Sequence, residues 1–426
     1  MTTRFRRSLW LAAIVIAVVG GCAYFLILWP LRDPHPPIRF PSGALAIRDA
    51  KIYPSPDADP IEHGTVVVRN GLIAALGPTL EVPSDAQVLP CDGRCLVTAG
   101  FWNTHVHFTE PKWSFAAWTS SAALNAQLAD MLTSRGFTTV VDTGSDLRET
   151  VSLRRRIESG ELVGPAIYTA GASVFPPGGI PYYLKGSVPF FVLWFVPQPA
   201  TPSEAARIEE RNIAHGADLL KLFTGSYVAR GKVLPMPEPI ARAAAEVAHG
   251  HGQLVFSHAS DLAGTKVAMN AGVDVLAHAP DSPEGIDAAL LRAMVERNMA
   301  MVPTLKMFAT TVTASSSYLQ PIYDEVRQFH ELGGQLLFGT DVGYMTDYST
   351  EGEFEGLKKS GLGMRDVLRM LTAAPAQRFR VETEVGTVAV GKRADLVVID
   401  ADPKQDIAAF ARVRYTIRNG RVLYRR

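Results

Sequence analysis

Between Phe101 and Asp341 the sequence repeats one unit: a short apolar run, a polar loop, then a stretch of helical period. A first strand ends at His105-Val106-His107. Further apolar runs follow at Thr138–Val141, Ala166–Thr169, Asp218–Phe223, Gln253–His258, Val273–His278, Met299–Pro303 and Gln335–Asp341. Helical stretches separate them, at Ala122–Arg135, Leu147–Ser159, Glu204–His215, Pro239–Gly250, Asp261–Ala271, Ile286–Arg297 and Tyr318–Leu332, and Met364–Thr372 follows the last run. Strands covered on both faces read as apolar runs without alternation, and their regular exchange with helices predicts a parallel sheet. Eight such units predict an α/β chain closed into a (β/α)8 TIM barrel over residues 100–376.

The flanks follow another rhythm. Ala44–Ile47, Thr65–Val68 and Leu72–Leu76 are short β runs, with Arg69-Asn70-Gly71 as a turn. After the last helix come Gly386–Val388, Ala394–Asp400, Val413–Ile417 and Arg421–Leu423, with Asn419-Gly420 as a hairpin turn. Neither flank is large enough to bury a core alone, so segments 43–99 and 377–426 are expected to form one small, discontinuous β-sandwich. Cys91 and Cys95 flank the turn Asp92-Gly93-Arg94, where a disulfide and two separate thiols are both open.

At the N-terminus, Arg4, Arg6 and Arg7 precede the charge-free run Ser8–Trp29, longer than the roughly 20 residues that cross a bilayer as a helix. A transmembrane anchor over residues 1–30 is expected, with everything after it on the extracytoplasmic side, periplasmic or at the cell surface. Cleavage as a signal peptide, or lipidation at Cys22, competes with that reading. Both export the rest of the chain too, but lipidation would strand the apolar Tyr24–Leu28. Residues 31–42 form a proline-rich spacer. Lys+Arg and Asp+Glu both number 42, so no global field favours a nucleic-acid partner.

The polar residues at the predicted strand ends carry the chemistry. His105 and His107 are two apart on one strand and reach one point in space. Lys221 lies on strand four among Leu219, Leu220, Leu222 and Phe223; His258 ends strand five, His278 strand six and Asp341 strand eight. In a barrel these ends open on one face, where active sites are built. A buried ammonium is unfavourable by several kcal/mol unless paired or modified, so Lys221 is not an ordinary surface lysine.

In its motifs and their order the chain resembles the metal-dependent amidohydrolase superfamily, in the branch of imidazolonepropionase-like and Xaa-Pro dipeptidase-like enzymes. The motifs are Ala99-Gly100-Phe101 with Thr104-His105-Val106-His107, LLKLFTG around Lys221, FSHAS around His258, GVDVLAHA around His278, FGTDVG around Asp341, LTAAPAQRF and GTVAVGKRADLVVID. The resemblance implies two divalent ions, zinc being the expected one. His105, His107, Lys221 and Asp341 would hold the first, and Lys221, His258 and His278 the second. It further implies that Lys221 is carboxylated and bridges the ions, that a metal-bridging hydroxide attacks the carbonyl, and that Asp341 is the catalytic proton carrier.

Tyr227 and Arg230, followed by Lys232, are the candidates for substrate binding, with an ordinary solvated loop as the alternative. Val188–Val196 is too apolar for a plain exposed loop and is expected to roof the site, meet the membrane or join the core. The function expected is hydrolysis of dipeptides or N-acyl amino acids. A cyclic-amide hydrolase with one metal and a catalytically silent binding protein are the alternatives. The partners expected are a small amide substrate, the membrane and, in a homo-oligomer, further copies of the chain.

Overall fold

The computed structural model describes residues 35–187, 190, 192–311 and 315–426. Among them no helix is long and apolar enough to cross a membrane, and the expected anchor at 1–30 lies outside the described residues.

The first five strands are β1 (Ala44–Ile52), β2 (Ile61–Arg69), β3 (Leu72–Gly77), β4 (Ala86–Pro90) and β5 (Leu96–Ala99). Next come β6 (Phe101–Val106), β7 (Phe137–Asp142), β8 (Ala166–Thr169) and β9 (Leu219–Phe223), then a hairpin of β10 (Gly225–Ala229) and β11 (Lys232–Pro235). The chain continues with β12 (Leu254–His258), β13 (Val275–Leu276), β14 (Ala300–Met301) and β15 (Gln335–Leu336). It closes with β16 (Leu396–Ile399), β17 (Val413–Arg418) and β18 (Arg421–Arg425).

Eight of these strands make the barrel. β6, β7 and β8 pair in parallel, as do β9, β12, β13, β14 and β15. Parallel bridges Val174↔Leu222 and Val106↔Val342 join the two groups and close the ring. Every residue of β6, β7 and β9 is buried, as their unalternating apolar sequences require. Side-chain caps start the outer helices: Asp146 accepts from Arg148 N–H, Thr201 from Glu204 N–H, and Asp261 from Gly264 N–H. These caps fix where each loop ends and hence how the strand ends are displayed.

The flanking segments meet where β16 pairs antiparallel with β5. They form one hydrogen-bonded sheet, in the order β18-β17-β16-β5-β1-β2-β3 with β4 also on β1, rather than the two stacked sheets of a sandwich. The reason lies in β1. Its first half pairs with β4, its end at Lys51 and Ile52 pairs with β5, and the register against β2 slips between Ile47 and Ala50, where Asp49 has φ +56°. That bulge bends the sheet, which closes on a core of Ile47, Ile52, Val66, Leu89, Leu396 and Tyr415. Beside the bulge, Cys91 and Cys95 are joined as a disulfide.

Candidate active site

The strand ends bring four imidazoles, one lysine and one carboxylate together. His105, one residue before the end of β6, is fully buried, with Nδ1 2.7 Å from the Ala277 carbonyl. His107 Nδ1 lies 2.7 Å from the Gly144 carbonyl, and His278 Nδ1 2.8 Å from Thr304 Oγ1, whose own proton goes to Pro303 O at 2.8 Å. A carbonyl only accepts, so each of these imidazoles carries its proton on Nδ1 and presents a bare Nε2. His258 stacks on Phe223 at 4.7 Å between ring centroids, and its ring lies 4.6 Å from that of His278.

The bare nitrogens converge. His105 Nε2 and His107 Nε2 are 3.3 Å apart, and Asp341 Oδ1 lies 3.3 Å from the first and 3.0 Å from the second. Asp341 Oδ1 is buried and accepts no hydrogen bond among the described residues. Ligand atoms of His105, His278 and Asp341 also lie within 4.8 Å of one another. Lone pairs facing one another in a dry site repel unless a cation lies among them, so this donor set fits a divalent ion.

Titration keeps most of these nitrogens unprotonated, with His107 the exception. Burial, helped by Lys221 and neighbouring imidazoles, holds His105 and His278 well below the usual histidine range and His258 down at about 3. For His107 burial also pushes downward, but the carboxylate of Asp341 and the charge of Asp142 outweigh it, and the group is raised. Lys221, 1% exposed, is pushed down to about 7 by burial against the opposing charges of Asp341 and Asp142. Its Nζ sits 5.5 Å from the Phe223 ring centroid. A substantial fraction of this amine is neutral near neutral pH.

Backbone shape sets the carboxylate. Asp341 has φ +57°, and its N–H donates to the His105 carbonyl at 2.9 Å. Gly343 follows at φ +97°, packed so closely that a Cβ there would fall 1.8 Å from the His107 carbonyl oxygen. One participant was not anticipated from the sequence. Asp142, buried at the end of β7, accepts from Ser145 Oγ at 2.5 Å, Thr169 Oγ1 at 2.7 Å and Gly144 N–H at 3.1 Å. It thereby holds the turn whose Gly144 carbonyl orients His107. Its place two residues after Val140 on a buried strand, before Thr-Gly-Ser, was the available signal.

Tyr227 and Arg230 are placed differently. Tyr227 on β10 donates to Asp281 Oδ1 at 3.0 Å, and its hydroxyl lies 2.9 Å from Ser282 Oγ; Tyr318 donates to Asp281 Oδ2 at 3.2 Å. Arg230 stands exposed at the tip of the β10–β11 hairpin, outside the cluster, with Lys232 just beyond it.

The sequence profile of the amidohydrolase family matches residues 96–423. No curated protein sequence matches the chain. Among solved structures, an Xaa-Pro dipeptidase with bound methionine is similar at 23% identity and a TM-score of 0.74, over 90% of this chain and 100% of that one. A putative prolidase from Bifidobacterium longum is similar at 26% identity and 0.73, over 91% and 96%. Molinate hydrolase is similar at 18% identity and 0.73, over 90% and 95%.

Proposed function

The chain belongs to the amidohydrolase family, and from that premise we propose that it hydrolyses dipeptides or N-acyl amino acids with two divalent ions, zinc being the expected one. The observation that carries the reading is the convergence of His105 Nε2, His107 Nε2 and Asp341 Oδ1 with no donor among them, beside the buried amine of Lys221. Similarity to prolidase structures supports the choice of substrate class. The charge-free run Ser8–Trp29 and the Cys91–Cys95 disulfide support an anchored enzyme working outside the cytoplasm.

The family is one of hydrolytic enzymes acting on amide C–N bonds, and the residues divide the labour. His105, His107 and Asp341 would hold one ion and His258 and His278 the other, with Lys221 between the two sets. The neutral Lys221 amine can add to carbon dioxide and lose a proton to solvent, giving a carbamate whose two oxygens can serve both sets. Such ions polarise an amide carbonyl and lower the pKa of water. Asp341 Oδ2 takes the proton released when water attacks the carbonyl carbon and returns it to the departing nitrogen as the C–N bond breaks. Burial of the cluster strengthens each of these interactions.

Asp341→Asn tests this assignment. Turnover of N-acyl amino acids and dipeptides is expected to fall by about 10²- to 10⁴-fold, the usual weight of a proton carrier. Full turnover in a variant that keeps its metal would remove Asp341 from the proton path. A screen across dipeptides, N-acyl amino acids, lactams and lactones decides the substrate class, and exclusive action on lactams would favour the cyclic-amide alternative.

A further inference from the structure

The C-terminal face of the barrel carries several exposed aromatic side chains. Among the described residues, Phe115, Trp118, Tyr182, Trp194, Phe195 and Tyr344 are exposed, and all come from loops that follow β6, β8 and β15. Loops leaving the C-terminal ends of barrel strands emerge on one face, the face of the metal-ligand cluster. Exposed aromatics gathered on one face mark a contact surface rather than scatter.

The loop after β8 is rooted on the wall of that cluster. Phe175 N–H donates to the Pro197 carbonyl at 2.9 Å and clasps the two ends of the loop together. The Phe175 ring lies 4.2 Å from Phe223, which stacks on His258. Within the loop, Tyr183 meets Tyr344 at 5.8 Å between ring centroids, and Tyr344 stands three residues beyond Asp341. From this root the loop runs out to Trp194 and Phe195, 74% and 82% exposed, in the short turn Val192–Phe195. Aromatic contacts thus run from a candidate ligand histidine to Phe175 at the root of the loop, and further out Trp194 meets Phe190 at 5.6 Å between ring centroids.

A bilayer is one occupant for such side chains, but the chain's course argues against it. His35 lies 3.6 Å from Asp218, which precedes β9 at the opposite, N-terminal end of the barrel. Only residues 30–34 separate His35 from the apolar run ending at Trp29, a reach of at most about 20 Å. A membrane entered by that run lies against the face away from Trp194.

We infer that the substrate is amphiphilic: its amide lies at the metal-ligand cluster, and a long or aromatic apolar acyl group rests on Trp194 and Phe195. The inference rests on the amide-hydrolase reading and adds the substrate class. A methylene removed fully from water favours binding about fourfold, and one lying against an open wall about twofold.

Two measurements on the full-length, metal-loaded chain in lipid nanodiscs test it, with empty discs as blank. Calorimetry compares octanoate with acetate, the acids that such hydrolysis would release, and kinetics compares kcat/KM for N-octanoyl and N-acetyl amino acids. In each, the octanoyl-to-acetyl ratio is expected to exceed about tenfold and to fall severalfold in the double variant Trp194→Ala, Phe195→Ala. Both side chains are mostly solvent-exposed, so their removal leaves the core packing in place. A ratio near one in the wild type, or the same ratio in both proteins, overturns the inference. So does brominated-lipid quenching of tryptophan fluorescence that Trp194→Phe abolishes, which would place the patch in the bilayer. Octanoate binding that depends on Trp194 and Phe195 without turnover of any amide would uphold the apolar seat and overturn the amide-hydrolase reading instead.

Discussion

Replacing Gly343 by alanine probes how the backbone fixes the ligand geometry. A Cβ at Gly343 would fall 1.8 Å from the His107 carbonyl oxygen. Carbon and oxygen ordinarily approach no closer than about 3.3 Å, so the two segments must part by more than about 1 Å. They cannot part freely, because His107 N–H donates to the Val342 carbonyl at 2.8 Å and Thr109 Oγ1 to the Gly343 carbonyl at 2.8 Å. The displacement therefore passes to His107 and Asp341, whose facing atoms are 3.0 Å apart. The left-handed φ of +97° adds roughly 1 to 2 kcal/mol for any residue with a Cβ. A misplacement of about 1 Å at a reacting centre lowers the rate about 10²-fold. Metal content by mass spectrometry, kcat and the thermal midpoint of purified Gly343→Ala measure the effect. Loss of about two orders of magnitude in kcat, with a lowered midpoint, is expected. A folded variant with wild-type kcat and metal content would refute the claim that this contact sets the site.

Asp142→Ala removes the acceptor of Gly144 N–H and Ser145 Oγ in the turn behind His107, so metal affinity is expected to fall about 10- to 100-fold, read by competition with a chelator. Unchanged affinity would make Asp142 a purely structural group. Glu209, fully buried in the helix Pro202–Ala214, is pushed up to about 8 by burial from an ordinary value of 4.5. Between those values the native state binds a proton that the unfolded chain has released, so this group's stabilising contribution is present below pH 4.5 and lost as pH rises through 8. Glu209→Gln should accordingly gain on the wild type by a few kcal/mol, as an order of magnitude, between pH 5 and pH 9 in urea titrations, and parallel curves would count against that burial.

The barrel was legible because its buried strands must be apolar throughout: Leu219–Phe223 interrupts that rule only with Lys221, and the interruption marks the site. The ligand candidates could be found for a related reason, since His105, His258, His278 and Asp341 terminate apolar runs. The bend in β1 was less legible. Asp49 in an alternating run gives no sign that one strand will serve both β4 and β5, so the same runs also fitted a sandwich. The pairing of Tyr227 with Asp281 was not legible because the two are 54 residues apart, and Asp142 was hidden because its role passes through the Gly144 carbonyl. In Val188–Val196 composition suggested three fates, and exposure of Trp194 and Phe195 removes burial in the core for those two side chains.

The central claim is that Lys221 joins two metal-binding sets into one site. Metal analysis of the purified wild type and of Lys221→Ala tests it most directly. The account predicts close to two equivalents of divalent ion in the wild type, lost or halved in the variant. One equivalent in both proteins would contradict it.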